Sequence, residues 1–192
     1  MSHVADRFVI ILDANVLYPF RVRDALLRFN EAGLFRARWT EEILNEWENA
    51  LLRTKPQLED SISAQRTAMQ EAFDEAWVEG YDSLIPTITL PDQNDRHVLA
   101  AAIRAGAQHI VTDNLKDFPD AALEPFGIKA ISADSCLTAT FELYPADASA
   151  ALNRMRRAYR NPSMTAAEFL DDLTRAGLPK LALLAREYID TI

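Results

Sequence analysis

The sequence predicts an α/β fold: a central, mainly parallel sheet flanked by helices, followed by a C-terminal helical extension. Three observations lead there. Short apolar runs of strand character at 8–12, 35–39, 109–112 and 128–131 are separated by segments of helical periodicity. Strands that alternate with helices build parallel sheets, because each crossover helix covers a face of the sheet. The first run, Phe-Val-Ile-Ile-Leu, is apolar without alternation, the pattern of a strand buried on both faces. After Pro145 no strand-like run follows; three helical segments take over at 148–160, 166–176 and 180–189. The chain accordingly divides into an α/β domain over 1–144 and a helical extension over 145–192.

The elements between follow from spacing and punctuation. In 23–32, Ala25, Leu26, Phe29 and Ala32 recur at helical intervals, and Gly33 suits the position after a helix end. Thr40 opens a helix to about residue 52 with Ile43, Leu44, Trp47, Ala50 and Leu51 on one face. The stretch 57–80 holds Ala, Glu and Gln and no Gly or Pro before Gly80, so it reads as one long helix. Its stripe of Ile62, Ala68, Met69, Ala72, Phe73, Ala76 and Trp77 would pack on the core or on a second copy. Residues 86–91 form a brief extended link. Asp92, Asn94 and Asp95 are N-terminal signals for a helix over 96–105 that Gly106 closes. A helix at 135–143 is halted by Pro145, and Thr165 with Glu168 three residues on is a capping box.

Composition narrows the chemistry. With 49% hydrophobic and 26% charged residues among 192, the chain can bury a core, so disorder is excluded. Its apolar runs are far below the ~20 residues of a membrane span. The N-terminus lacks a cationic start and a cleavage site, so the chain is read as cytoplasmic. A lone Cys136 excludes a disulfide framework and any multi-Cys metal site. The net charge of −9 opposes general nucleic-acid binding. Two arginine clusters still permit local basic patches: Arg21, Arg23, Arg28, Arg36 and Arg38, then Arg154, Arg156, Arg157 and Arg160. His3, His97 and His109 have no metal-ligand spacing, and five glycines leave no phosphate-cradling loop.

The informative residues are acids at strand ends. Asp13 follows the first strand, and Asp113, Asn114 and Asp117 follow the strand 109–112. Both lie where open parallel sheets bind ligands. Asp92 and Asp95 precede the helix 96–105, and Glu42 and Glu46, four apart, share a helix face. Each has a plainer reading as a cap, a turn or a solvated side chain. If the two strands are neighbours, however, these carboxylates converge. Two such charges ~4 Å apart repel by ~4 kcal/mol at an effective dielectric of 20, so protons or a cation must hold them together. All-oxygen ligands suit Mg²⁺ or Mn²⁺, which points to phosphodiester hydrolysis. An aspartyl-phosphate phosphatase would need a second Asp two residues after Asp13, where Asn15 stands.

Three segments resemble PIN domains. Leu12-Asp13-Ala14-Asn15-Val16-Leu17 is similar to the family's opening motif. DQNDRHVLAAAIRAGAQHIVTDNLKDFP over 92–119 resembles its second signature, and WTEEILNEWENAL over 39–51 resembles its helix with a central Glu. The likeness spans roughly residues 8–144. It implies a PIN-like three-layer fold and a Mg²⁺- or Mn²⁺-dependent endoribonuclease. It also implies the toxin half of a VapC-type toxin–antitoxin pair, with RNA as substrate, an antitoxin partner and a homodimer. By the same resemblance Asp13, Glu46 and Asp95 bind metal. The fourth position is Asn114, so Asp113 or Asp117 supplies the last carboxylate. Asn15 orients Asp13, and Thr112 hydrogen-bonds in the site. Arg21 and Arg23 are candidate phosphate contacts, and Arg156 and Arg157 candidate RNA or antitoxin contacts. A structure-related DNA nuclease and a non-catalytic PIN-fold binding protein stand as alternatives.

Overall fold

The computed structural model of the chain describes residues 8–192; His3 and the reading of the N-terminus as leaderless lie outside them. In chain order the first elements are β1 (Val9–Leu12), α1 (Ala14–Leu17), α2 (Phe20–Glu31), β2 (Arg36–Arg38), α3 (Glu41–Thr54) and α4 (Glu59–Ala72). Then come α5 (Arg96–Ala105), β3 (His109–Val111), α6 (Asp120–Leu123) and β4 (Lys129–Ile131). The chain finishes with α7 (Ala133–Leu143), α8 (Pro145–Ala158), α9 (Ala166–Arg175) and α10 (Pro179–Ala185). Phe8–Tyr18 and Ala37–Ile131 pack as one unit, Pro19–Arg36 and Ser132–Ile192 as another.

The first unit is built on a four-stranded sheet of order β2-β1-β3-β4. β1 and β3 run parallel with Ile11 opposite Ile110, and β3 and β4 run parallel with Ile110 opposite Ala130. Ile10, Ile11 and Leu12 are fully enclosed, as their unbroken apolar run requires. α5 packs on β1 and β3, and its Val98, Leu99 and Ala102 are buried. Gly106 ends α5 at φ +63°, a left-handed conformation that glycine adopts without a Cβ penalty. The hydrogen bonding continues one residue past the strands: Asp13 N–H donates to Val111 O at 3.1 Å, and Thr112 N–H to Ile131 O at 3.0 Å. This fixes Asp13 and Thr112 side by side at the carboxyl ends of β1 and β3.

α3 begins where Thr40 was expected to cap it, the Thr40 hydroxyl accepting from Ile43 N–H at 3.1 Å. The long helix expected over 57–80 is corrected. α4 stops at Ala72, Phe73 leaves helical geometry, and Trp77 pairs with Trp39 as a bridge beside β2. Trp39 N–H donates to Ala76 O at 2.9 Å, and Val78 N–H to Trp39 O at 3.0 Å. Those bonds satisfy the exposed backbone of a sheet edge, and they outweigh a helix propensity worth only tenths of a kcal/mol per residue. Of the expected stripe, Ile62, Met69 and Ala76 are buried while Ala68 and Ala72 are exposed. Arg66 ties α4 to α3, pairing with Glu41 and Glu48 and donating to Asn45 Oδ1 at 2.8 Å. The link expected to be extended at 86–91 begins inside a 3-10 turn, Asp82–Thr87.

The second unit joins α2 to α7, α8, α9 and α10 around Leu152, Met155, Phe169, Leu173 and Leu181, all fully buried. Pro145 ends one helix and is the first residue of the next, a position where its missing N–H costs nothing. The Thr165–Glu168 capping box is present in both directions. Asp134, near the start of α7, accepts from Lys180 N–H and Leu181 N–H at 3.0 Å each and so caps α10. Cys136 is 2% exposed, and burial pushes its thiol up to about 12. No helix among the described residues is long and apolar enough to cross a membrane.

Asp134→Ala removes the acceptor of two helix-start N–H groups, one buried and one part-buried; a charge-assisted bond is worth ~1.5–3 kcal/mol, and water replaces the acceptor at the part-buried one. The expected loss is about 2 kcal/mol of unfolding free energy, read as a lower urea midpoint at unchanged slope.

Candidate active site

Asp13 is the fixed point of the site. Its Oδ1 accepts from Ala14 N–H at 2.6 Å, so it caps α1. Its Oδ2 accepts from Asn15 Nδ2 at 2.5 Å and from Thr112 Oγ1 at 2.7 Å. Asn15 Nδ2 also lies 2.8 Å from Thr112 Oγ1, and Asn15 Oδ1 accepts from Asp113 N–H at 3.0 Å. Asn114 N–H donates back to Thr112 Oγ1 at 3.1 Å. Asp13 is 6% exposed and Thr112 not at all. Burial raises the Asp13 carboxyl above its ordinary range and the Glu46 charge adds to this, against the bonds from Thr112 and Ala14.

Asp95 closes the 3-10 turn Gln93–Asp95 and leads into α5. Its Oδ2 is buried with no hydrogen-bond partner among the described residues. Burial pushes this carboxyl up to about 6, and the charges of Asp13, Asp92, Asp117 and Glu46 act in the same direction. Glu46 projects from α3, with Oε1 3.2 Å from His97 Nε2. His97 Nδ1 lies 3.6 Å from Glu42 Oε2. Burial alone would lower the His97 pKa, but the Glu46 bond and the charges of Glu46, Glu42 and Asp13 outweigh it and raise the value. Asp117 accepts from the Asn114 side-chain amide.

Thus Asp13, Glu46, Asp95 and Asp117 act on one another electrostatically, while Asn15, Thr112 and Asn114 hold two of them. Asp113 is exposed and enters the site through its backbone N–H. Sequence reasoning set His97 aside because no second histidine stood at ligand spacing. The signal was the pair Glu42 and Glu46, one helical turn apart, which creates a place for a donor. Asp92 caps the 3-10 turn by accepting from Asn94 N–H at 2.9 Å, and its charge also reaches Asp95. Arg21 and Arg23, expected as phosphate contacts, and Arg156, expected as an RNA or antitoxin contact, have internal surroundings. Arg21 pairs with Asp172 at 2.5 Å and lies 3.9 Å over the Tyr159 ring. Arg23 is 5% exposed, and burial lowers its pKa to about 10. Arg156 donates to the backbone oxygens of Ile192 and Met164 at 2.7 and 2.8 Å. All three are taken up inside the helical unit, and only Arg157 of the four is exposed.

Among the described residues no three His, Cys, Asp or Glu side chains are gathered into a ready-made cation cage. The reason lies in their partners, since Glu46 turns to His97 and Asp117 to Asn114. The donor chemistry nevertheless fits a hard divalent cation. Asp95 offers a buried oxygen without a partner, and four neighbouring negative charges would be relieved by one positive ion. Asp13, Asp95, Glu46 and Asp117 are the residues that could hold it.

The PIN domain family model matches residues 9–116, which contain Asp13, Glu46 and Asp95 and end one residue before Asp117. The chain belongs to the PIN-domain family. A second model, the VapC50 C-terminal domain, matches residues 133–187 of this PIN-domain chain, the span of α7 to α10. The chain is also 39% identical over 131 residues to a protein of Mycobacterium tuberculosis (strain ATCC 25618 / H37Rv) named "Putative ribonuclease VapC50". That alignment covers 68% of this chain and 76% of the relative. No solved structure matches the PIN-domain chain.

The Asp95 carboxyl binds its proton more tightly folded, at about 6, than at its ordinary 3.8. The folded state therefore carries more protons between those values, and this group's contribution to stability is lost as pH rises through them. Asp95→Asn is expected to stabilise the metal-free protein at pH 8 by on the order of 1 kcal/mol after solvent screening. The gain should vanish by pH ~4, as read by urea unfolding in a chelator at the two pH values.

Proposed function

We propose that this PIN-domain chain is a Mg²⁺- or Mn²⁺-dependent endoribonuclease and the toxin of a type II toxin–antitoxin pair. The observation that carries the reading is the mutual repulsion of Asp13, Asp95, Glu46 and Asp117 at the carboxyl end of the sheet, with the Asp95 carboxyl held at about 6. A protein keeps such a cluster at a cost, and a divalent cation on RNA phosphate accounts for it. The named VapC50 relative lends support through its name.

In this reading Asp13 and Asp95 hold the cation, with Glu46 and Asp117 completing the set directly or through water. The bound ion supplies Lewis-acid activation of a water and neutralises phosphate charge. The chain's own residues do the rest. Thr112 and Asn15 fix the Asp13 carboxylate in one orientation, so no reorganisation is needed when substrate arrives. Glu46, oriented by its hydrogen bond to His97, takes a proton from the attacking water and is neutralised as it does so. Residues beyond 144 serve partners rather than chemistry. Leu183 in that extension, 71% exposed, and Leu143 just before it, 64% exposed, offer the antitoxin or a second copy apolar contact. The setting is the cytoplasm.

The test is cleavage of a mixed RNA pool with Mg²⁺ or Mn²⁺ and with a chelator. Cleavage is expected only with metal and only in the unaltered chain, not in the Asp13→Asn, Asp95→Asn double variant. Thr112→Val, which removes support without removing a carboxylate, is expected to lower activity about 10–100-fold. Cleavage that persists in the double variant contradicts the reading.

A further inference from the structure

Beside the carboxylates lies an open groove of about 580 Å³, of which the steps above use only the end at Asn15 and Glu46. Asn15, Glu46 and Asn94 line one end, and Tyr18, Asn49 and Arg53 continue it. Glu42, Glu46, Asn49 and Arg53 are spaced by four, three and four residues, so they form one stripe along α3. The stripe changes sign along its length: acidic beside the proposed metal, neutral at Asn49, cationic at Arg53. From Glu46 to Arg53 is seven residues, about 10 Å of helix axis, enough for a short run of nucleotides.

The far end of the groove is prepared for a ligand. Arg53 and Asn49 are exposed and have no hydrogen-bond or ion-pair partner among the described residues. This contrasts with Arg21, Arg23 and Arg156, whose guanidiniums are engaged within the helical unit. Tyr18 is half-buried, and its hydroxyl is fixed 2.8 Å from Thr54 Oγ1, one residue beyond Arg53. A ring held at its polar tip is a rigid surface on which a base can stack. A guanidinium without an internal partner keeps its fork of donors available for a phosphate.

We propose that this groove is the track for single-stranded RNA leading to the carboxylates. Arg53 binds the backbone phosphate flanking the scissile one, Tyr18 stacks an adjacent base, and the Asn49 amide meets that base's edge. The proposal rests on the nuclease reading and adds a polarity to it: the strand runs along α3 from Arg53 toward Glu46. An alternative role for Arg53, offsetting the dipole at the end of α3, would change stability and leave RNA binding as it was.

The experiment has two arms. Cleavage of a labelled single-stranded RNA with Mg²⁺ is measured for the unaltered chain, Asp95→Asn, Arg53→Gln, Tyr18→Ala, Tyr18→Phe and Lys129→Gln. Lys129 is an exposed cation at the opposite, amino end of the sheet. RNA binding is measured by anisotropy across salt concentrations in the Asp95→Asn background, which leaves the RNA whole. Arg53→Gln is expected to lower kcat/KM about tenfold through KM and to flatten the slope of log K against log salt by about 0.7. Tyr18→Ala should weaken binding about tenfold without changing that slope, Tyr18→Phe should recover most of the loss, and Lys129→Gln should do neither. If the unaltered chain cleaves, Asp95→Asn does not, and Arg53→Gln matches the unaltered chain in KM and salt slope, the track is overturned while the nuclease stands. If the unaltered chain neither cleaves nor binds RNA, the nuclease reading falls and the track with it.

Discussion

Like charges gathered at the carboxyl ends of β1 and β3 repel, and the rest of the α/β unit is arranged around that repulsion. Asp13 is buried and ringed by three donors, which holds its carboxylate where water would otherwise disperse it. Those donors exist because β1 and β3 are parallel neighbours in one register, so that residue 112 arrives beside residue 13. Asp95 has no such relief, and its proton affinity records the cost. The site is thus built from one satisfied carboxylate and one that is not.

The partners grade from rigid to adjustable across the site. Asp13 is held through backbone and buried side chains and has little room to move. Glu46 and Asp117 are instead held by side chains alone, His97 and Asn114. A fixed anchor beside movable arms can close around a charge without rebuilding the sheet.

Much of this was legible in the sequence, for identifiable reasons. β1 was readable because burial on both faces leaves an unbroken apolar run, and α5 because Asp95 and Gly106 bracket it with opposite end signals. Asp13 and Thr112 could be placed at strand ends because a parallel sheet puts its ligands there. What misled was long-range pairing. Nothing local in 73–78 announces that Trp39 offers an unpaired backbone edge, and that edge is what ends α4. His97 was hidden for a similar reason: its meaning depends on Glu42 and Glu46, some fifty positions away. Arg21, Arg23 and Arg156 looked available because charge in a sequence does not reveal its partners. Asp172, Tyr159 and the chain's last carbonyl are distant in sequence and near in space.

Cys136 carries a consequence of a different kind. Its sulfur is buried in α7 beside the Thr140 hydroxyl, and burial holds it as the unreactive thiol. An alkylating reagent at neutral pH meets no thiolate while the helical unit stays closed. As the only sulfhydryl in the chain, it is a built-in clock for that unit: its modification rate counts openings, and a bound partner that braces the helices would slow the count.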